Sequence, residues 1–174
     1  MKKLILVIAG LGLAMILTNC KVKEKTAGIP VTYPQDCSYF YVDYEKGTMN
    51  GLSPKASMET IKKAFPCFTG ETEEGSDFNC GGGLFYLDHD FYFYTHRDYL
   101  ELREGFIPDS TSMKLLGRSR IKLAEKLGTP DMQPEEDVYL YKKPYGTLRI
   151  EFFDGVVTET GIHHVDIEDI ELCM

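Results

Sequence analysis

The sequence predicts an α+β fold of two tandem modules, each a helix followed by a three-stranded antiparallel meander, with the helices packed on one face of the sheet. Three observations carry this expectation. Apolar residues recur at helical spacing twice, as Met58, Ile61 and Phe65 and again as Leu123, Ala124 and Leu127. Each helical stretch is followed by a loop and then three short runs of aromatic, β-branched and polar residues separated by turn formers. Aligning Ser57 with Ser119 sets Ile61 over Leu123 and Phe65 over Leu127, as expected of a diverged internal duplication. The first module is placed at 37–110 and the second at 111–174.

Within the first module, residues 37–44 (CSYFYVDY) alternate towards a strand that stops at Glu45-Lys46-Gly47. Ser57 supplies a side-chain oxygen able to cap the helix that follows, and Pro66 ends it. The loop from Phe68 to Gly83 is acidic and Gly-rich. Strands are expected at Leu84–Leu87, Phe91–Thr95 and Tyr99–Arg103, joined through Asp88-His89-Asp90 and His96-Arg97-Asp98. Gly105 to Met113, with Pro108, breaks the meander. The second helix follows Ser119 and is stopped by Gly128-Thr129-Pro130. Strands are then expected at Val138–Tyr141, Thr147–Phe153 and Val156–His163. Asp154-Gly155 between the last two is a strong two-residue hairpin signal.

Alternate residues of a strand face opposite ways, so each run divides into two sets. Leu148, Ile150 and Phe152 oppose Arg149, Glu151 and Phe153; Phe91 and Phe93 oppose Tyr92 and Tyr94; Val138 and Leu140 oppose Tyr139 and Tyr141. The apolar sets are expected against the helices. That leaves Tyr86, Tyr92, Tyr94, Tyr139, Tyr141, Arg149 and Glu151 for an open face. Tyrosine and arginine anchor protein interfaces because they bury large area while keeping a polar tip. On this expectation, replacing Tyr139 and Tyr141 by alanine removes partner capture without unfolding the chain.

The run Gly117-Arg118-Ser119, Leu127-Gly128-Thr129-Pro130-Asp131, the pair Tyr139 and Tyr141, the set Leu148, Ile150 and Phe152, and Asp154-Gly155-Val156-Val157 together resemble the small α/β module of the barrel-assembly accessory lipoproteins. The same unit occurs as a tandem pair in the β-lactamase inhibitor protein family. The resemblance covers 116–163 well and 51–104 loosely, and the first half has Phe65-Pro66-Cys67 in place of the Leu-Gly-x-Pro turn. It implies a protein-binding role, either as an envelope accessory or as an inhibitor. A fold does not fix an activity.

Residues 1–19 have the build of a bacterial export signal: Lys2 and Lys3 lead into an apolar run from Leu4 to Leu17, which is interrupted by Gly10 and Gly12 and too short to span a bilayer. Cys20 directly behind that run resembles the lipobox cysteine of bacterial lipoproteins, with Leu17 matching the pattern and Asn19 departing from it. Lipidation at Cys20 implies stable anchoring by acyl chains, and the same resemblance to bacterial lipoproteins implies, from Lys21 rather than Asp after the cysteine, the outer membrane. Residues 20–36 then read as a polar tether. The formal charge is −8, becoming −10 once Lys2 and Lys3 leave with the signal. A chain this acidic disfavours nucleic acid and favours a basic protein partner.

Four cysteines follow Cys20, and an even number in an exported chain suggests two disulfides with three possible connectivities. Cys67 and Cys80 flank one loop, so that pair is expected, leaving Cys37 with Cys173. No constellation suggests catalysis, a cofactor or a metal. The carboxylates flanking His89 point away from it in a strand, and His163 and His164 alternate in direction. Gly81-Gly82-Gly83 lacks the helix of a phosphate cradle, and the 71–77 carboxylates miss calcium spacing. The expected function is therefore that of a membrane-anchored, non-catalytic envelope lipoprotein that binds a protein. An immunity or inhibitor protein against a basic toxin or hydrolase is the alternative, and a small-ligand carrier or enzyme a more distant one.

Overall fold

Tyr41–Asp43 (β1) and Thr48–Met49 (β2) form a hairpin, and Ser110–Thr111 (β7) adds to β1 in parallel, making a three-stranded sheet. These elements come from a computed structural model that describes residues 34, 36–72 and 82–170. The export signal, Cys20, nearly all of the tether, Cys80 and Cys173 lie outside the described residues. Among the described residues, no helix is long and apolar enough to cross a membrane.

The helix Met58–Ala64 (α1) starts where its cap predicts. The Ser57 hydroxyl accepts from the Thr60 amide at 3.3 Å, and Ile61 is buried. The helix Arg120–Leu127 (α2) follows Ser119 and buries Leu123. Around them run the remaining strands: Gly70–Thr72 (β3), Gly83–Tyr86 (β4), Phe91–Tyr94 (β5), Tyr99–Arg103 (β6), Met132–Glu135 (β8), Val138–Lys143 (β9), Gly146–Phe153 (β10) and Val156–His163 (β11). They form one eight-stranded sheet in the order β3-β4-β5-β6-β11-β10-β9-β8, with every pair antiparallel. Asp90 and Asp98 occupy left-handed conformations at the two turns of β4-β5-β6, and Asp154-Gly155 makes the β10–β11 hairpin with both residues at positive φ.

This corrects the fold class. The described chain is mainly β, with two sheets of three and eight strands and only two short helices, and it is not a pair of helix-plus-meander α+β modules. The pairing of β6 with β11, from Tyr99↔His163 to Arg103↔Glu159, fuses the strands of both stretches into a single sheet. Strands β2, β3, β7 and β8 hold two to four residues each, too few to leave a periodic signature. β7 also straddles the expected boundary at 110/111.

One core lies on the helix side of the large sheet. Ile61, Phe65, Leu84, Tyr86, Phe91, Phe93, Leu100, Leu102, Leu123, Leu148, Ile150 and Ile162 are all buried in it, together with Val42 and Met49 of the small sheet. Phe91 is its aromatic hub, with ring centroids at 4.2 Å from Tyr86, 5.4 Å from Phe40 and 5.6 Å from Phe106.

A disulfide joins Cys37 to Cys67, which corrects the expected Cys67–Cys80 and Cys37–Cys173 pairing. The shortest loop is not the deciding factor. Phe40 stacks on Phe65 at 6.2 Å, and this packing draws the segment before β1 onto the end of α1, leaving the two cysteine Cα atoms 6.1 Å apart. A cross-link spanning 30 residues restricts the unfolded chain by ~3–4 kcal/mol. Cys37→Ser is therefore expected to lower unfolding free energy by about that amount in urea titration.

Candidate functional site

Cross-strand register decides which residues share the face of the large sheet opposite the core. Phe85 pairs with Tyr92, Tyr94 with Tyr99, Tyr92 with Glu101, Tyr99 with His163, Arg103 with Glu159, Arg149 with Gly161 and Glu151 with Glu159. Residues directly opposite point the same way. One set of side chains from five adjacent strands thus covers this face.

Its aromatic part is a ladder. Phe85 lies 6.2 Å from both Tyr92 and Tyr94, Tyr94 stacks on Tyr99 at 5.4 Å, and Tyr99 stacks on His163 at 3.9 Å with the planes 9° apart. Two guanidinium groups lie against it, Arg97 at 4.5 Å from the Tyr94 ring and Arg103 at 4.5 Å from the Tyr92 ring. Tyr99 lies flat across Gly161, where an added Cβ would come within 2.6 Å of its ring. Glycine is needed there for that close approach.

Its charged part is a chain of alternating sign. Arg103 Nε donates to Glu101 at 2.6 Å, and Arg149 bridges Glu151 and Glu159 with its two terminal nitrogens. Tyr99 donates its hydroxyl to Glu159 at 3.3 Å. Burial, reinforced by the nearby Glu101 charge, raises Glu159 above the usual carboxylate range. Burial also drives His163 down to about 3, aided by the positive charges of Arg149 and Arg97, so it is neutral at pH 7. Desolvation pushes the Tyr94 phenol up to about 12.

The expected interface residues divide between the two faces. Tyr92, Tyr94, Arg149 and Glu151 belong to the face just described. Tyr86 does not: it is fully buried on the core side and donates its hydroxyl to the Phe65 carbonyl at 3.0 Å. Tyr139 and Tyr141 also face the core, because they pair with Ile150 and Leu148. Tyr141 is 4% exposed, and Tyr139 packs edge-on against Phe152 at 4.8 Å. Val138 and Leu140 take the other side, covered by Ile167 and Ile170. Alternation fixes two sets but not which one is inside, and a tyrosine suits either side. The double alanine variant of Tyr139 and Tyr141 is therefore a core truncation, not a clean probe of binding.

Sequence reading missed Phe85, Arg97, Tyr99, Glu101, Arg103, Glu159 and His163. The signal was present in the alternation of Leu100 and Leu102 with Tyr99, Glu101 and Arg103. Asp90, beside His89, accepts from the Tyr92 hydroxyl and the Gly105 amide. His89 packs on Phe40. Among the described residues no group of three or more His, Cys, Asp or Glu side chains is arranged to hold a metal.

On the rim, a shallow cavity of about 550 Å³ is lined by Asp90, Glu104, Glu151 and Glu159 beside Arg103, with the 76% exposed Phe153 at its edge. Chemically, the face offers rings, fixed guanidinium groups and paired carboxylates. Glu101, Glu151 and Glu159 are each engaged by an arginine, an arrangement suited to recognition more than to proton transfer. The chain matches no known family model, no curated protein and no solved structure.

Proposed function

We propose that this chain is a lipid-anchored, non-catalytic protein of the bacterial cell envelope, with the outer membrane favoured, that binds another protein through the aromatic and arginine-lined sheet face. The observation that carries this reading is the ladder from Phe85 through Tyr92, Tyr94 and Tyr99 to His163, in which Tyr92, Tyr99 and His163 are buried and brace the half-buried Phe85, Tyr94 and Arg97 and the exposed Arg103 that a partner could touch. Stacked rings and arginines held in place before contact lose little side-chain freedom on binding, which is the character of interface hot spots. The leader and Cys20 support the anchor. The partner presents basic groups: the chain carries −8, and the rim cavity is lined by four carboxylates to one arginine.

That same rim favours one specific version, an immunity or inhibitor protein that neutralises a basic toxin or hydrolase. Electrostatic steering would then raise the association rate and make it fall with salt.

The test uses two variants of the full chain. Tyr94→Ala with Arg103→Ala is expected to weaken capture of the natural partner by about 2 kcal/mol or more while far-UV circular dichroism is unchanged. Undiminished capture contradicts the assignment of the face. Cys20→Ala is expected to abolish metabolic labelling with fatty acid, and continued labelling contradicts the anchor.

A further inference from the structure

Between β6 and α2 the chain encloses a cleft of about 360 Å³, with the buried Phe106, Met113 and Leu115 in its wall and Ile107, 83% exposed, at its lip. An apolar cleft of this size takes a large side chain or a small molecule. A strand edge in the same cleft bears on which. Ser110 and Thr111 of β7 line it, and β7 is an outer strand of the three-stranded sheet. The Ser110 and Ser112 amides donate to the Phe40 and Val42 carbonyls, so Thr111 between them turns its N–H and C=O towards the open side. Backbone groups beside an apolar cavity match an extended polypeptide, whose main chain pairs with the edge while one side chain enters the cavity. A free apolar molecule leaves them unused.

Charge bears on what flanks that side chain. Glu104 lines both this cleft and the rim cavity beside the aromatic ladder, and so joins the cleft to the proposed face. Among the described residues Glu104 is exposed and makes no ion pair, in contrast to Glu101, Glu151 and Glu159. Along the two walls Asp90, Glu104, Asp109, Glu151 and Glu159 outnumber Arg103 and Lys114. A cation is favoured there.

We infer that the cleft takes an extended segment of the partner protein, which pairs with β7, sets a large apolar side chain on Phe106, Met113 and Leu115, and lays a basic residue on Glu104. The inference rests on the protein-binding reading and deepens it by naming the chemistry of the segment that docks.

The ¹³C-methyl resonance of Met113 in the full-length protein reads the cleft directly. The probes are acetylated, C-terminally amidated peptides with an arginine, then zero to three glycines, then leucine and a final glycine. At least one of them is expected to shift Met113 saturably. Met49, fully buried in β2 on the other side of β1, should keep its resonance as evidence of an intact fold. Replacing the arginine of that peptide by glutamate is expected to weaken binding at least about fivefold, and so is Ile107→Asp in the protein. Glu104→Gln should weaken the arginine peptide about threefold to fivefold. No shift of Met113 by any spacing, an equal response to the glutamate peptide, or an unchanged response in Ile107→Asp overturns the inference. N-acetyl-leucine amide binding as tightly as the peptide also overturns it, by making the occupant a free apolar molecule. Where these results accompany loss of the natural partner in the Tyr94, Arg103 double variant, the sheet face stands and this inference alone falls.

Discussion

Between pH 7 and pH 4.5 the protein is expected to lose about 2.5 kcal/mol of folding stability through His163 alone. In the unfolded chain this imidazole takes up a proton near its ordinary 6.5; in the fold it does so only at about 3. Burial against Tyr99 comes first as the cause, followed by the charges of Arg149 and Arg97. The folded value is depressed, so the unfolded state binds more protons throughout the interval between the two. Stability is therefore complete above about pH 6.5 and is lost as pH falls towards 3, with the full term reaching ~5 kcal/mol. Glu159 acts in the opposite sense, since its raised value means acid relieves a buried charge. His163→Phe keeps a ring on Tyr99 and removes the titration. Urea unfolding at the two pH values should show the variant losing about 2.5 kcal/mol less than the wild type. Parallel pH profiles would show that His163 is not held neutral by the fold.

The second large effect lies in the core. Phe91→Ala is expected to cost about 3–5 kcal/mol, because the ring is fully buried and touches Phe40, Phe65, Tyr86, Phe93 and Phe106 at once. These neighbours belong to the segment before β1, the end of α1, strands β4 and β5 and the loop after β6. No single element can close the void by moving inward, so the cavity term stays large. Phe153→Ala, on the exposed side of β10, should change stability by no more than about 0.5 kcal/mol. Urea titrations at equal m-value separate the two. A cost for Phe91→Ala below about 1 kcal/mol would mean that the aromatic cluster does not hold the sheets together.

Local structure was legible in the sequence, and its long-range assembly was not. The Ser57 cap, the Asp154-Gly155 turn and the strands Tyr99–Arg103 and Val156–His163 all follow from signals a few residues long. The β6–β11 pairing has no such signal, because its residues are far apart in the chain and nothing local records the junction. That pairing makes one eight-stranded sheet of what reads as two units. The candidate face was half visible for a related reason. Tyr92 and Tyr94 stood out against Phe91 and Phe93, whereas Tyr139 and Tyr141 alternate equally well with Val138 and Leu140. Only the register with Leu148 and Ile150 turns them inward. The cysteine pairing likewise depends on how Phe40 meets Phe65, a tertiary contact.

The central claim is that the face bearing Tyr94, Arg97 and Arg103 is where another protein docks. Site-specific photo-crosslinking in the native envelope tests it most directly, with a benzophenone side chain placed at Tyr94 or Arg103 and, as controls away from that face, at Lys55 or Lys63. The account predicts the same single partner from both face positions and none from the controls. Crosslinks from Lys55 or Lys63 with silence at Tyr94 and Arg103 would contradict it.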